Sequence, residues 1–463
     1  MLSKRILALL AGPALMPILM LAGCQTIESL GDHTAATLGL GDDTPQSYTA
    51  SEVSQGQRAI AVADEPLAAR AGASVLTSSG NAVDAVATMF FTLTTTYPVA
   101  AGLGSGGICL VSEANGQVTE FDFLTKAPQR AGAYALPGAV KGFSTMHKLY
   151  GAMPWQRVVA PGEAYAATGF PISHALWVRL GNAQNSVRLD ASLAAEFMNE
   201  NGTPRPEGAI AANQALSQTL AAIRLSGADG FYKGAVADEI VRYSASQSGA
   251  ISAADLADYR TTVTAPRVMN QGGYSVALPN AANGAGQFAQ SLFTNAARSA
   301  DVEASVVLAV RQSLTSFGVS TLPSDLGGTG FAAVDRNGQV ATCAMTVNGA
   351  FGAGHTAGNS GVLLANSPSA PAGIAGAFLT PLIARDGSGR AVLTGVGAGG
   401  PNGTAAIAYA FLKLAGGQQI GRPADMRSTG AAPMVTVNVI SCQDVCVALP
   451  DPGGHGLGAA TSE

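Results

Sequence analysis

Three places in the chain carry two apolar runs joined by a short turn rich in Asn, Asp or Gly. These pairs constrain the fold more than any other feature. The run from Gly107 to Ser112 meets the run from Val118 to Phe123 across Glu113-Ala114-Asn115-Gly116. Gly330 to Asp335 meets Val340 to Val347 across Arg336-Asn337-Gly338. Leu382 to Arg385 meets Ala391 to Thr394 across Asp386-Gly387-Ser388-Gly389. Asn and Gly tolerate the left-handed backbone of tight hairpins, so each unit reads as an antiparallel strand pair. Small-residue helical runs flank them, from Ala68 to Ser79, Ala82 to about Thr95, and Thr404 to Leu414. Hairpins with helices before and after predict antiparallel sheets covered by helices. No repeat of fixed period runs through the chain.

Composition supports a packed body. Hydrophobic residues make up 47% and charged residues 12% of 463 residues, which argues against intrinsic disorder and allows one large domain or two ordinary ones. The 57 glycines follow no collagen-like period and predict many turns and close backbone approaches. A formal net charge of −5 lacks the basic footprint of a nucleic-acid binder.

The N-terminal segment reads as an export signal. Lys4 and Arg5 precede an apolar run from Ile6 to Ala22, interrupted by Gly12, Pro13 and Pro17. Basic residues, then an apolar run, then small residues is the order of a cleaved signal rather than a spanning helix. The run ends in Leu21-Ala22-Gly23-Cys24, which resembles the lipobox of bacterial lipoproteins. On that reading residues 1–23 are a lipoprotein signal peptide, Cys24 carries the lipid anchor, and residues 24–55 are a flexible tether. Gln25 follows Cys24, so the aspartate that retains lipoproteins in an enteric inner membrane is absent. In a Gram-negative host the expected place is the periplasmic side of the outer membrane.

Four further cysteines follow. Cys109 and Cys343 sit in apolar strand-like runs and read as free buried thiols. Cys442 and Cys446 are close in sequence, and export permits a disulfide between them. No second Cys or His pair supports a zinc site, and the five histidines have no ligand spacing, so neither metal nor cofactor is expected.

Two generic motifs are weak. Gly395-Val396-Gly397-Ala398-Gly399-Gly400 fits the dinucleotide-binding G-x-G-x-x-G pattern, but a hairpin strand precedes it and no clean parallel strand follows. Leu103-Gly104-Ser105-Gly106-Gly107 approaches a nucleophile elbow but lacks the first glycine.

An ordered set of strings is more specific. Ala71-Gly72-Ala73-Ser74 through Gly80-Asn81-Ala82-Val83-Asp84-Ala85 is followed by Tyr97-Pro98 and Gly102 to Gly107. Pro137 to Gly142, Tyr150 to Trp155, Gly169-Phe170-Pro171, Gly230 to Gly234 and Asp255 to Tyr259 come next. Phe331 to Asp335, Thr346-Val347-Asn348, Phe351-Gly352 and Ser360 to Leu364 complete the order, with Asp451-Pro452 and Gly456 near the end. From about residue 57 to 460 the chain resembles the γ-glutamyltranspeptidases. The stretch between Gln287 and Gly328 is shorter than is typical of that family.

The resemblance implies an α+β fold, the αββα sandwich of the N-terminal-nucleophile hydrolase class. Residues 56–327 would correspond to the large subunit and 328–463 to the small one. In such a precursor the chain cuts itself before a threonine, whose freed amine then activates its hydroxyl against a γ-glutamyl amide. Backbone N–H groups stabilise the oxyanion. Ungapped matching puts Gly328 at the nucleophile and Thr346 and Asn348 at the downstream threonine and asparagine. Thr329, one residue later, is the candidate substitute nucleophile, although a one-residue step along a strand reverses the side chain. Leu124 matches the arginine that clamps the substrate carboxylate, and Lys126 stands nearby. Ser367 and Ala370 match the acidic grip on the substrate amine, and Ala377 and Phe378 match the paired serines. Gly399 and Gly400 alone retain an oxyanion or backbone-binding role.

Two readings follow. In the preferred one the protein is an envelope-anchored relative without ordinary γ-glutamyl transfer, binding at most a small peptide or amino-acid-like ligand. In the alternative it is an active amidohydrolase or γ-glutamyltransferase of altered specificity, working from Thr329 after self-cleavage.

Overall fold

The computed structural model describes residues 59–461 apart from 248–249, 281–285, 297–300, 317, 319–320, 419, 421–434, 444 and 452–455. The segments expected to be signal peptide and tether, with Cys24 between them, lie outside the described residues.

In chain order the strands are β1 (Ile60–Ala63), β2 (Gly106–Ser112), β3 (Val118–Asp122), β4 (Phe170–Pro171), β5 (Ile210–Ala211), β6 (Thr262–Thr264), β7 (Arg267–Gln271) and β8 (Tyr274–Leu278). They continue with β9 (Gly328–Val334), β10 (Val340–Thr346), β11 (Thr380–Arg385), β12 (Ala391–Ala398), β13 (Thr436–Cys442), β14 (Cys446–Leu449) and β15 (Leu457–Ala460). Seven form one sheet in the order β15-β1-β9-β10-β2-β3-β6, and six form a second in the order β14-β13-β12-β11-β8-β7. All three hairpins read from turn chemistry are present: β2 with β3, β9 with β10, and β11 with β12.

The sheets pack face to face over an apolar layer that includes Ile60, Val62, Leu110, Ala332, Ile383 and Ile440. Five of the helices on the seven-stranded side are α1 (Pro66–Thr77), α2 (Ala82–Thr96), α3 (Ala139–Tyr150), α4 (Trp155–Thr168) and α5 (His174–Val187). Side chains of these helices share one core with alternate residues of that sheet, Phe90, Phe91 and Phe143 lying against Phe121 and Phe331. The six-stranded sheet is covered by α6 (Gln287–Ala296), α7 (Val302–Ser316) and α8 (Pro401–Ala415), with Phe288, Phe293 and Phe411 in a second core. The architecture is the expected αββα sandwich, of class α+β.

Helix α2 explains how the layers stay in register. Every one of its residues is buried, so it is a central element rather than an amphipathic cover. Its start is set by a capping box: Asn81 accepts from the Asp84 amide, and Asp84 accepts from the Asn81 amide, each at 3.0 Å. Such a cap contributes about 1 kcal/mol.

The structure revises one sequence-based expectation and agrees with three others. Cys109 and Cys343 are not free thiols: they stand opposite each other in the β2–β10 ladder and are bonded. Two distant runs become neighbours only through sheet order, so local context could not pair them. Cys442 and Cys446 form the expected disulfide across β13 and β14. The G-x-G-x-x-G run is no phosphate loop, because Gly395 and Gly397 lie inside β12 and pair antiparallel with β11 and β13. Ser105 is fully buried, and its carbonyl accepts from the amides of Gly138 and Ala139, so Leu103 to Ser105 packs at the entry to β2 rather than forming an elbow. No helix among the described residues is long and apolar enough to cross a membrane.

Candidate functional site

Strand β9 opens at Gly328, two residues earlier than turn chemistry suggests, and Gly328 pairs directly with Thr346. The preceding residue, Gly327, has φ of +60°, and a β-carbon there would lie 2.1 Å from the Gly349 carbonyl oxygen. Only glycine fits such a bend. Thr346 is buried, and its hydroxyl donates to the Leu326 carbonyl at 2.9 Å while accepting from the Asn348 amide at 2.9 Å. Asn348 sits in the left-handed region at φ of +57°. Its side-chain nitrogen donates to Thr125 Oγ1 at 3.0 Å and to the Asn366 carbonyl at 2.8 Å. These two residues therefore brace the bend that leads into Gly328.

The Gly399–Gly400 turn closes over the same point. A β-carbon on Gly328 would lie 2.6 Å from the Gly399 amide nitrogen and 3.0 Å from its Cα. Those distances are inside van der Waals contact. The backbone amide thus occupies the space where a nucleophile's side chain would begin. Gly400, at φ of +137°, leads into α8 at Pro401.

Thr329 faces the other way. Alternation along β9 places Gly330, Ala332 and Val334 toward the second sheet, and Phe331 and Ala333 toward the helices. Thr329 is fully buried, and its hydroxyl donates to Asp64 Oδ2 at 2.7 Å. Thr436 donates to the same oxygen at 2.7 Å, and Asn438 Nδ2 donates to Asp64 Oδ1 at 2.8 Å. Burial pushes the Asp64 carboxyl above its ordinary pKa, against the three donors that favour its charge. Gly399 and Thr329 are thus on opposite faces of the strand.

Sequence reading missed a second buried group. Arg179, on α5, donates to the Gly328 carbonyl at 3.2 Å and to the Tyr97 hydroxyl at 3.3 Å. It also bonds both carboxylate oxygens of Asp325, from Nε at 2.9 Å and from Nη2 at 2.5 Å. Burial works against the Arg179 charge, but Asp325 and Tyr97 more than offset it and hold its pKa above the ordinary value. Burial raises Tyr97 to about 12. A signal was present: Ala175, Leu176, Arg179, Leu180 and Ala183 all fall on the buried face of α5, so an arginine interrupts an apolar stripe.

Positions matched to substrate grips have other uses. Leu124 packs with Ala344, Leu379, Val396 and Ala398 in an apolar cluster beside the Gly399 turn. Lys126 is exposed, donates to the Arg260 carbonyl at 3.0 Å and lies over the Tyr259 ring, so it does not replace a clamp at Leu124. Ser367 bonds Ser369 at 2.8 Å. Ala370 precedes the short helix Pro371–Phe378, and Phe378 packs edge-on against Phe288. The structure brings Gly328, Thr346, Asn348 and Gly399 together and turns Thr329 away.

Comparison with known proteins agrees with this fold. Residues 68–295 match the family described as Gamma-glutamyltranspeptidase. The glutathione hydrolase proenzyme of Pseudomonas sp. (strain A14) is 31% identical over 252 residues, covering 50% of this chain and 44% of that protein. The protein of that name from Escherichia coli (strain K12) is 31% identical over 230 residues, covering 45% and 40%. The chain thus spans less than half the length of these curated relatives. Among solved structures, a cephalosporin acylase from Bacillus halodurans superposes with a TM-score of 0.72 at 17% identity, covering 89% of this chain and 97% of that one, and shares the fold. The γ-glutamyltranspeptidase of Helicobacter pylori gives a TM-score of 0.51 at 26% identity, covering 57% and 83%. The ordered motifs, the αββα sandwich and these matches together support a member of the γ-glutamyltranspeptidase family.

Proposed function

We propose that this protein is a lipid-anchored envelope relative of the γ-glutamyltranspeptidases that neither cuts itself nor transfers γ-glutamyl groups. The observation that carries the reading is that a β-carbon on Gly328 would stand 2.6 Å from the Gly399 amide nitrogen. Self-cleavage and acyl transfer both need a hydroxyl at the start of β9, and the space for one is filled by backbone. The hydroxyl of the next residue, Thr329, is committed to Asp64. The apolar packing of Leu124 supports the same conclusion, because a substrate carboxylate calls for a bidentate cation. Residues 56–327 and 328–463 accordingly remain one chain.

Cys24 is the lipid attachment point, and residues 24–55 tether the body on the periplasmic side of the outer membrane. Two disulfides suit an oxidising compartment of that kind. Any ligand kept from the family's repertoire is a small peptide or amino-acid-like molecule held by backbone groups.

Intact mass of the purified mature protein tests the central point. One uncut chain, inactive on a γ-glutamyl anilide, is expected. Two fragments, the smaller beginning at Thr329, would instead establish an active amidohydrolase. For the anchor, Cys24→Ser is expected to release the protein from membranes, and continued membrane association would count against lipidation.

A further inference from the structure

The end of the sandwich remote from Gly328 is open. Turns of four hairpins, two from each sheet, surround a groove of about 700 Å³ there. Glu113, Asn337 and Gly389 mark three of those turns, and Cys442 and Cys446 form the fourth wall. Both cysteines are only partly buried, and Val445 between them is 51% exposed. Cys109 and Cys343, by contrast, have no exposure and lie under helices in the middle of the seven-stranded sheet.

We propose that Cys442–Cys446 is a reversible thiol–disulfide site, opened by a dithiol reductant that approaches through this groove. The step balances as follows. One thiolate of the reductant attacks a sulfur of the pair, forming a mixed disulfide and releasing the other cysteine as a thiolate. The reductant's second thiol then attacks its own bound sulfur. Two protein thiols and one oxidised reductant result, with two electrons and two protons passed to the protein.

Two features make the pair able to cycle. First, attack requires access, and access differs between the two disulfides of this molecule. Second, opening the bond leaves the β13–β14 ladder in place, because Val439–Leu449, Ile440–Ala448 and Ser441–Val447 still pair. The ladder then holds the thiols opposite each other and ready to close again. Gln443 and Val445 line the groove within the same turn, so the redox state of the pair sets how firmly that wall is held. This inference stands apart from the reading of the Gly328 end.

The test uses the whole mature protein under native conditions. After treatment with dithiothreitol, free thiols are alkylated and located by peptide mass. Two alkyl groups are expected, on Cys442 and Cys446, with none on Cys109 or Cys343, and removal of the reductant in air is expected to restore the unlabelled state. Absence of label on Cys442 and Cys446, or labelling of all four cysteines at one rate, would overturn the proposal. The double variant Cys442→Ser/Cys446→Ser is expected to keep the native circular dichroism and a nearly unchanged thermal midpoint. Loss of the fold in that variant would make the pair a structural staple and also overturn the proposal.

Discussion

The two ends of β9 are built in opposite ways. At Gly328 the backbone of Gly399 packs against the strand, Arg179 grips the carbonyl, and Leu124 lies in an apolar cluster nearby. At Val334 four turns stand apart around a groove with charged groups at its rim. The same strand thus begins in close-packed interior and ends at open surface. The end that carries chemistry in an N-terminal-nucleophile enzyme is here held like a core. Its polar groups are spent on one another rather than aimed at a ligand.

That contrast gives an ordered set of tests. The largest effect is expected from Arg179→Ala. It strands the buried Asp325 carboxylate and should cost about 3–5 kcal/mol, read as a lower urea midpoint. The matching change at the open end, Arg390→Ala, removes an exposed partner of Asp386 and should shift stability by less than about 1 kcal/mol. Equal losses would break the comparison.

Glycine substitutions come next. Gly327→Ala combines a left-handed backbone with a backbone clash and should cost about 2–5 kcal/mol. Gly328→Ala has the clash alone and should cost about 1–3 kcal/mol. Gly389 also has positive φ, but no atom lies within 4 Å of its would-be β-carbon, so alanine there should cost only about 1–2 kcal/mol. Thermal midpoints of the three variants rank them directly. A tolerated Gly328→Ala would mean that the Gly399 turn yields easily.

A third test uses pH. Burial raises Glu65, beside Asp64, to about 7 and Glu196 to about 8. A carboxyl that holds its proton more tightly when folded contributes stability that is present in full below its unfolded pKa. That contribution is lost as pH rises through the folded value. The protein should therefore lose on the order of 1–3 kcal/mol per acid between about pH 5 and pH 8. Urea midpoints across that range check the slope. Glu65→Gln should flatten part of it.

The last test is Thr329→Ala. It should leave the chain uncut and cost about 1–3 kcal/mol through the lost bond to Asp64. A change in chain mass would reopen the case for Thr329 as nucleophile.

Much of the fold was legible because its signals are local. Asn337-Gly338 and Asp386 to Gly389 mark hairpins by backbone preference, and the small-residue run from Ala82 marks α2. The bounds slipped where tertiary pairing extends a strand through glycine, as in Gly328 and in Gly395 to Ala398, because glycine carries no strand preference of its own. The site was legible in part. Gly328 and Gly399 could be named, but their contact depends on two sheets meeting. Asp64, Thr329, Thr436 and Asn438 come from three distant segments, and no local pattern links them. Cys109 and Cys343 failed for the same reason.

The placement of β1 has a consequence for how the chain is made. Ile60–Ala63 pairs on one side with Phe331–Val334 and on the other with Leu457–Ala460. The first strand among the described residues thus waits for partners far along the chain. Such long-range pairing slows folding. It keeps the described body open until both partners of β1 have been made. A chain stopped short of Leu457 would leave one edge of β1 bare, and a bare apolar edge invites aggregation.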